Sequence, residues 1–103
     1  MKAIINRKRY DTEKATMIAE HGNGYGCNDF RGCYETLFQT ESGAFFLSGS
    51  GGPMSKYAQS SGNMITGGSR IVPLSKDDAY NWCEQHNQIE TIKRYFSNRL
   101  QDA

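Results

Sequence analysis

All eleven glycines of this 103-residue chain lie between Gly22 and Gly68, while the first 21 and the last 35 residues contain none. The ends are therefore suited to regular elements and the middle to tight turns and close backbone approach, which glycine alone tolerates freely. A chain of this length has material for one hydrophobic core and not for two, so residues 1–103 are read as a single domain. The apolar fraction is 37%, and five Phe, six Tyr and one Trp supply the bulk of the expected core.

Ala3-Ile4-Ile5 and Arg9-Tyr10 read as a short hairpin turning through Asn6-Arg7-Lys8. Asp11 or Thr12 is a suitable cap for a following helix, in which Ala15, Ile18, Ala19 and Gly22 fall on one face and Gly22 marks the end. Over residues 33–40, Tyr34, Thr36 and Phe38 alternate with Cys33, Glu35 and Leu37, the period of a strand. Glu41-Ser42-Gly43 turns the chain, and Ala44-Phe45-Phe46-Leu47 returns as the antiparallel partner. Two Gly/Ser-rich stretches, 48–53 and 60–69, follow. Ile71-Val72-Pro73-Leu74 is extended, with Pro73 favouring a sheet edge. Ser75-Lys76-Asp77-Asp78 is a helix start, and Ala79, Trp82, Cys83 and His86 recur at helical spacing. Asn87 breaks that helix, and Ile89, Ile92, Phe96 and Leu100 mark the apolar stripe of another. The expected fold is α+β, a small antiparallel sheet in the order β-β-α-β-β-β-α-α with helices packed on it. Leu37, Phe45 or Phe46, Trp82, Ile92 and Phe96 are the candidate core.

Twelve Lys plus Arg against eleven Asp plus Glu give a formal charge of +1. Neither an acidic nucleic-acid mimic nor a broad basic DNA coat fits that balance. The positive excess is local: Arg7, Lys8 and Arg9 cluster at the hairpin tip, with Lys2 and Lys14 nearby. No run of about 18 apolar residues exists, and the N-terminal apolar stretch is too short for a signal peptide. A cytoplasmic location without membrane contact is expected. Three cysteines, an odd number, argue for reduced thiols over a disulfide framework.

His21, Cys27, Cys33, Cys83 and His86 are all acceptable zinc ligands, but five residues separate Cys27 from Cys33, and Cys83-Glu84-Gln85-His86 lacks a close second pair. No metal and no cofactor are expected. A Cys27 nucleophile activated by His21 and oriented by Glu35 can be drawn, as it can for any chain with these residue types, and the expectation is that the protein is not an enzyme. Ser48-Gly49-Ser50-Gly51-Gly52-Pro53-Met54-Ser55-Lys56 invites a phosphate-loop reading. It lacks Gly-Lys-Ser/Thr and a strand-to-helix context, and tight turns explain the glycines as well.

Taken together, Lys2-Ala3-Ile4-Ile5-Asn6, Tyr10-Asp11-Thr12-Glu13, Glu35-Thr36-Leu37-Phe38, Gly43 with Phe45-Phe46-Leu47, Gly49-Ser50-Gly51-Gly52-Pro53-Met54-Ser55-Lys56-Tyr57 and Gly67-Gly68-Ser69 form a pattern. It resembles a widespread family of short prokaryotic proteins carried by phages, plasmids and their hosts, which includes anti-CRISPR inhibitors. The Gly-Gly-Pro-Met-Ser-Lys-Tyr segment is its most specific part. The chain departs from that pattern at Arg7-Lys8, where Gly-Lys is more usual, and at Cys27 and Cys33.

The resemblance implies a small inhibitor that binds a CRISPR-Cas effector stoichiometrically and blocks target DNA recognition or nuclease recruitment. It supplies no catalytic residues. Alternatives are a nucleic-acid-binding accessory protein of a mobile element and a sponge for a signalling nucleotide held by the Gly-rich loops. The candidate contact residues are Arg7, Lys8, Arg9, Lys56, Tyr57 and Arg70, and a homodimer is left open.

Overall fold

A computed structural model describes residues 2–24 and 30–97. The chain begins as an antiparallel ribbon of β1 (Lys2–Ile5) and β2 (Lys8–Asp11). Its turn holds two residues, Asn6 at φ 52° and Arg7 at φ 66°, with Ile5 paired to Lys8. Positive φ at both central positions is the type I′ geometry whose twist matches a hairpin. Lys8, expected in the turn, is the first residue of β2.

The next segment overturns the expected helix. Residues Thr16–Gly22 form a strand, β3, paired with β4 (Cys33–Gln39). The register shifts between Met17 and Ala19, so the consecutive residues Ile18 and Ala19 both pack against one core. A bulge that puts neighbours on one face hides the two-residue period of a strand and leaves a spacing that imitates a helix. Thr16 and Ile18 are β-branched, and long-range pairing decides the outcome.

β4 pairs with β5 (Phe45–Gly51) and β5 with β8 (Gly68–Leu74), all antiparallel, giving a four-stranded sheet in the order β3-β4-β5-β8. The Gly/Ser-rich insert between β5 and β8 carries a further small hairpin, β6 (Gln59–Ser61) with β7 (Met64–Thr66). Two helices follow, α1 (Lys76–Gln85) and α2 (Ile89–Tyr95). The α+β class stands, with β3 in place of a helix and β6 and β7 added.

Both faces of the sheet are covered. Leu37, Phe45 and Leu47 on one face pack with Ala79, Trp82 and Cys83 of α1 and with Ile92 and Phe96. On the other face Phe46 and Ile71 pack with Tyr10 of the ribbon, the Tyr10 and Phe46 rings meeting edge-on at 5.4 Å. Phe45 and Phe46 are therefore both core residues, one for each side. Leu37, Trp82, Ile92 and Phe96 are buried as expected. Burying each such side chain contributes roughly 1.5–3 kcal/mol.

Ser75 caps α1 by accepting the Asp78 N–H at 3.0 Å, and Asn87, at φ 54°, turns the chain after it. α2 lies along β3: Thr91 Oγ1 donates to the Ile18 carbonyl at 3.1 Å and the Gln88 amide to that of Glu20 at 2.9 Å. These bonds occupy acceptors that an edge strand would otherwise offer to another chain. Ile89, placed in the apolar stripe by sequence, is exposed, and Leu100 lies outside the described residues. Among the described residues no helix is long and apolar enough to cross a membrane.

Candidate functional site

Register aligns four residues in one row across the sheet: His21 of β3 opposite Glu35 of β4, Glu35 opposite Gly49 of β5, and Gly49 opposite Arg70 of β8. Residues paired across strands point to the same face, so this row lies under the helices beside Leu37. Gly49 leaves a gap in it. The loop after β5 fills that gap with the ring of Tyr57, which a Cβ at position 49 would overlap.

The loop reaches that position through a short chain of bonds. Gly52 N–H donates to the Gly32 carbonyl at 2.9 Å and Met54 N–H to that of Phe30 at 2.8 Å. Ser55 Oγ donates to the Gly52 carbonyl at 2.7 Å and accepts the Tyr57 N–H at 3.2 Å. A Cβ on Gly51 would collide with Ser55 and stand 2.7 Å from the Gly32 carbonyl oxygen. The Gly-Gly-Pro-Met-Ser-Lys-Tyr segment is thus a device for delivering two side chains, Lys56 and Tyr57, to Glu35.

Glu35 is 3% exposed and both its oxygens are engaged. Oε2 accepts the Tyr57 hydroxyl at 2.5 Å and the Lys56 ammonium at 2.7 Å, and Oε1 accepts the Trp82 indole N–H at 3.2 Å. Burial pushes the Glu35 carboxyl up, but hydrogen bonds from Lys56, Tyr57 and Trp82 together with the Lys56 charge outweigh it and hold the group below its ordinary value. Burial and the same carboxylate raise the Tyr57 phenol, which stays a donor. Arg70 lies over the Tyr57 ring with its guanidinium carbon 5.1 Å from the centroid.

The other end of the row carries a pair of imidazoles. His86, at the C-cap of α1, stacks on His21 with ring centroids 3.8 Å apart, and its Nε2 is 3.9 Å from Glu35 Oε1. Burial, then His21 and Lys56, lower the His86 pKa against the opposing pull of Glu35. The Glu35 contact is therefore that of a neutral imidazole at pH 7, although the distance alone would admit an ion pair.

This geometry redistributes the residues singled out in the sequence. Tyr57, expected to offer contact area, is 3% exposed and belongs to the interior. Lys56 is 58% exposed but its ammonium is held by Glu35. Arg70 is exposed on the helix-covered side of the sheet, whereas the ribbon bearing Arg7, Lys8 and Arg9, all exposed, packs on the Phe46 side. The two halves of the expected contact surface lie on opposite faces. Cys33 and Cys83 are free thiols, Cys83 fully buried, and Cys27 lies outside the described residues. Among the described residues no group of three or more His, Cys, Asp and Glu is placed to hold a metal ion.

Glu35 and Gly49 were not among the candidate contact residues; the sequence offered Glu35 only as an orienting group for a Cys27 site and Gly49 only as part of a phosphate-loop reading. The signal for Glu35 was its place in the alternation beside Leu37, a charged residue on an apolar face, which demands partners. Comparison with protein-family models, with curated proteins and with solved structures returned no match in any of the three.

Proposed function

We propose that the chain is an anti-CRISPR protein, binding a CRISPR-Cas effector stoichiometrically and blocking target DNA recognition or nuclease recruitment. The observation that carries the binding reading is a division of labour among the polar residues. Glu35, Lys56, Tyr57 and Trp82 are turned inward on one another and hold the loop to the sheet. Arg7, Lys8 and Arg9 are presented to solvent at the ribbon tip. The resemblance supplies the effector as partner, and its most specific segment is the loop that seats Lys56 and Tyr57. A domain of this size has surface for a standard interface of about 800 Å² per partner.

The test is size-exclusion chromatography of the purified chain with purified effector complexes of several CRISPR types, each followed by target DNA binding and cleavage assays. Co-elution at a fixed ratio with loss of DNA binding or cleavage supports the reading. Failure to co-elute with or inhibit any complex overturns it.

A further inference from the structure

Arg7 occupies a backbone conformation that its side chain disfavours. At φ 66°, next to Asn6 at φ 52°, it sits in the left-handed region, which glycine adopts freely and Asn tolerates. An Asn-Gly pair is the preferred filling of a type I′ turn, so an arginine there carries a strain that local folding does not require. Strain of this kind points from the outlier to a use for the side chain.

The surroundings indicate what that use is. Pairing of Ile5 with Lys8, Ile4 with Arg9, Ala3 with Tyr10 and Lys2 with Asp11 sorts the ribbon into two faces. Ala3, Ile5 and Tyr10 pack toward the sheet, with Lys8 on that same side at the exposed end of the ribbon, which leaves Lys2, Ile4, Arg9 and the buried Asp11 on the outer face, with Ile4 75% exposed. From Lys2 to Asp11 the ribbon has four cations, all exposed, and one carboxylate, Asp11, which is buried and accepts the Glu13 N–H at 2.9 Å. Past Asp11 the surface becomes mixed, with Glu13 and Glu41 exposed, so the positive excess is confined to the ribbon.

We infer that the β1-β2 ribbon is a contact surface for the phosphate backbone of duplex DNA, with Arg7 held at its tip for that contact at the expense of stability. Protein interfaces are depleted of lysine and centred on aromatic anchors. Here the exposed charges around a single exposed isoleucine are Lys2 and Arg9 on the outer face and Arg7 in the turn, with the one carboxylate, Asp11, buried, the composition of a polar, positive nucleic-acid interface. A two-stranded ribbon also has the width that the B-DNA major groove admits. The inference deepens the binding reading by naming the component of a loaded effector that the ribbon would touch, and it can be tested without any effector.

Binding of a 20-base-pair duplex of arbitrary sequence is measured by fluorescence anisotropy across 50–200 mM salt, for wild type, Arg7→Gly and Arg7→Lys, alongside thermal melts. Wild type is expected to bind at the low-salt end with affinity falling steeply as salt rises. Arg7→Gly should melt about 4 °C higher, because the turn strain is relieved. It should also bind about threefold more weakly at 50 mM salt, with a salt slope smaller by about one. Arg7→Lys should restore the slope without the gain in melting temperature. Absence of duplex binding at 50 mM salt, or an unchanged slope in Arg7→Gly, overturns the inference. So does competition by poly-glutamate as effective as by unlabelled duplex, which would assign the ribbon to an acidic protein surface. An effector that co-elutes with a chain unable to bind duplex would leave the effector reading standing alone, and duplex binding without any effector would leave this one.

Discussion

The ring of Tyr57 stands in the space that a side chain at position 49 would occupy, and Gly49 is glycine because that ring is there. The two residues are one structural feature supplied from different parts of the chain. Gly49→Ala should therefore cost about 1–3 kcal/mol by overpacking. In a Tyr57→Ala background the same change should cost much less, so a double-mutant cycle read by urea denaturation should show coupling. Additive costs would mean that the ring does not cover position 49.

Glu35 holds three donors from two other segments, Lys56 and Tyr57 of the loop and Trp82 of α1. Glu35→Gln keeps the volume but replaces an acceptor with a donor group facing those donors. A loss of about 1–3 kcal/mol is expected, measured as a lower urea midpoint at unchanged slope. Lys56 can turn to water and limits the loss. Trp82→Phe, which removes only the indole N–H and part of the ring, should cost less than Glu35→Gln. The reverse order would assign the stability of this region to packing and not to the carboxylate.

Acid should weaken the fold in two stages. The His86 imidazole is held below its ordinary value of 6.5, mainly by burial, so the unfolded chain binds its proton first. Its contribution is complete above pH 6.5 and is lost as pH falls through the lower folded value. Glu35 is held below 4.5 by its donors after burial has opposed them, so its contribution is complete above pH 4.5 and disappears further into acid. Denaturation midpoints measured from pH 8 to pH 3 should fall in that order, and His86→Gln should remove the first stage. A midpoint that rises between pH 7 and pH 5 would contradict a neutral His86 in the folded protein.

Burial pushes the Cys83 thiol up to about 11, and the residue has no exposed surface. A thiol reagent at pH 8 should leave Cys83 unmodified in the native protein and label it at the rate of unfolding. Mass spectrometry of the digested protein reads this site by site. Rapid native labelling at Cys83 would mean that α1 does not pack against the sheet as described.

The hairpin of β4 and β5, the extended run before Pro73, the Ser75 cap and the break at Asn87 were all legible because each rests on neighbours in sequence. The stretch 16–22 was misread because its bulge places Ile18 and Ala19 on one side and so erases alternation. Tyr57 was misassigned to the surface for a different reason. A tyrosine in a polar loop carries no local mark of the glycine it will cover eight residues earlier.

Composition and periodicity by themselves determined an α+β class, the two helices that follow the sheet and the aromatic core, because propensity, capping and turn chemistry act over a few residues. The tertiary structure decided which face each residue serves. Only register across four strands brings His21, Glu35, Gly49 and Arg70 into one row, and only packing of the Gly-rich loop on that row converts an isolated acidic residue into a satisfied, buried carboxylate. The desolvation of Glu35 is offset by donors 21, 22 and 47 residues distant in the chain. No local pattern encodes a balance made at that separation.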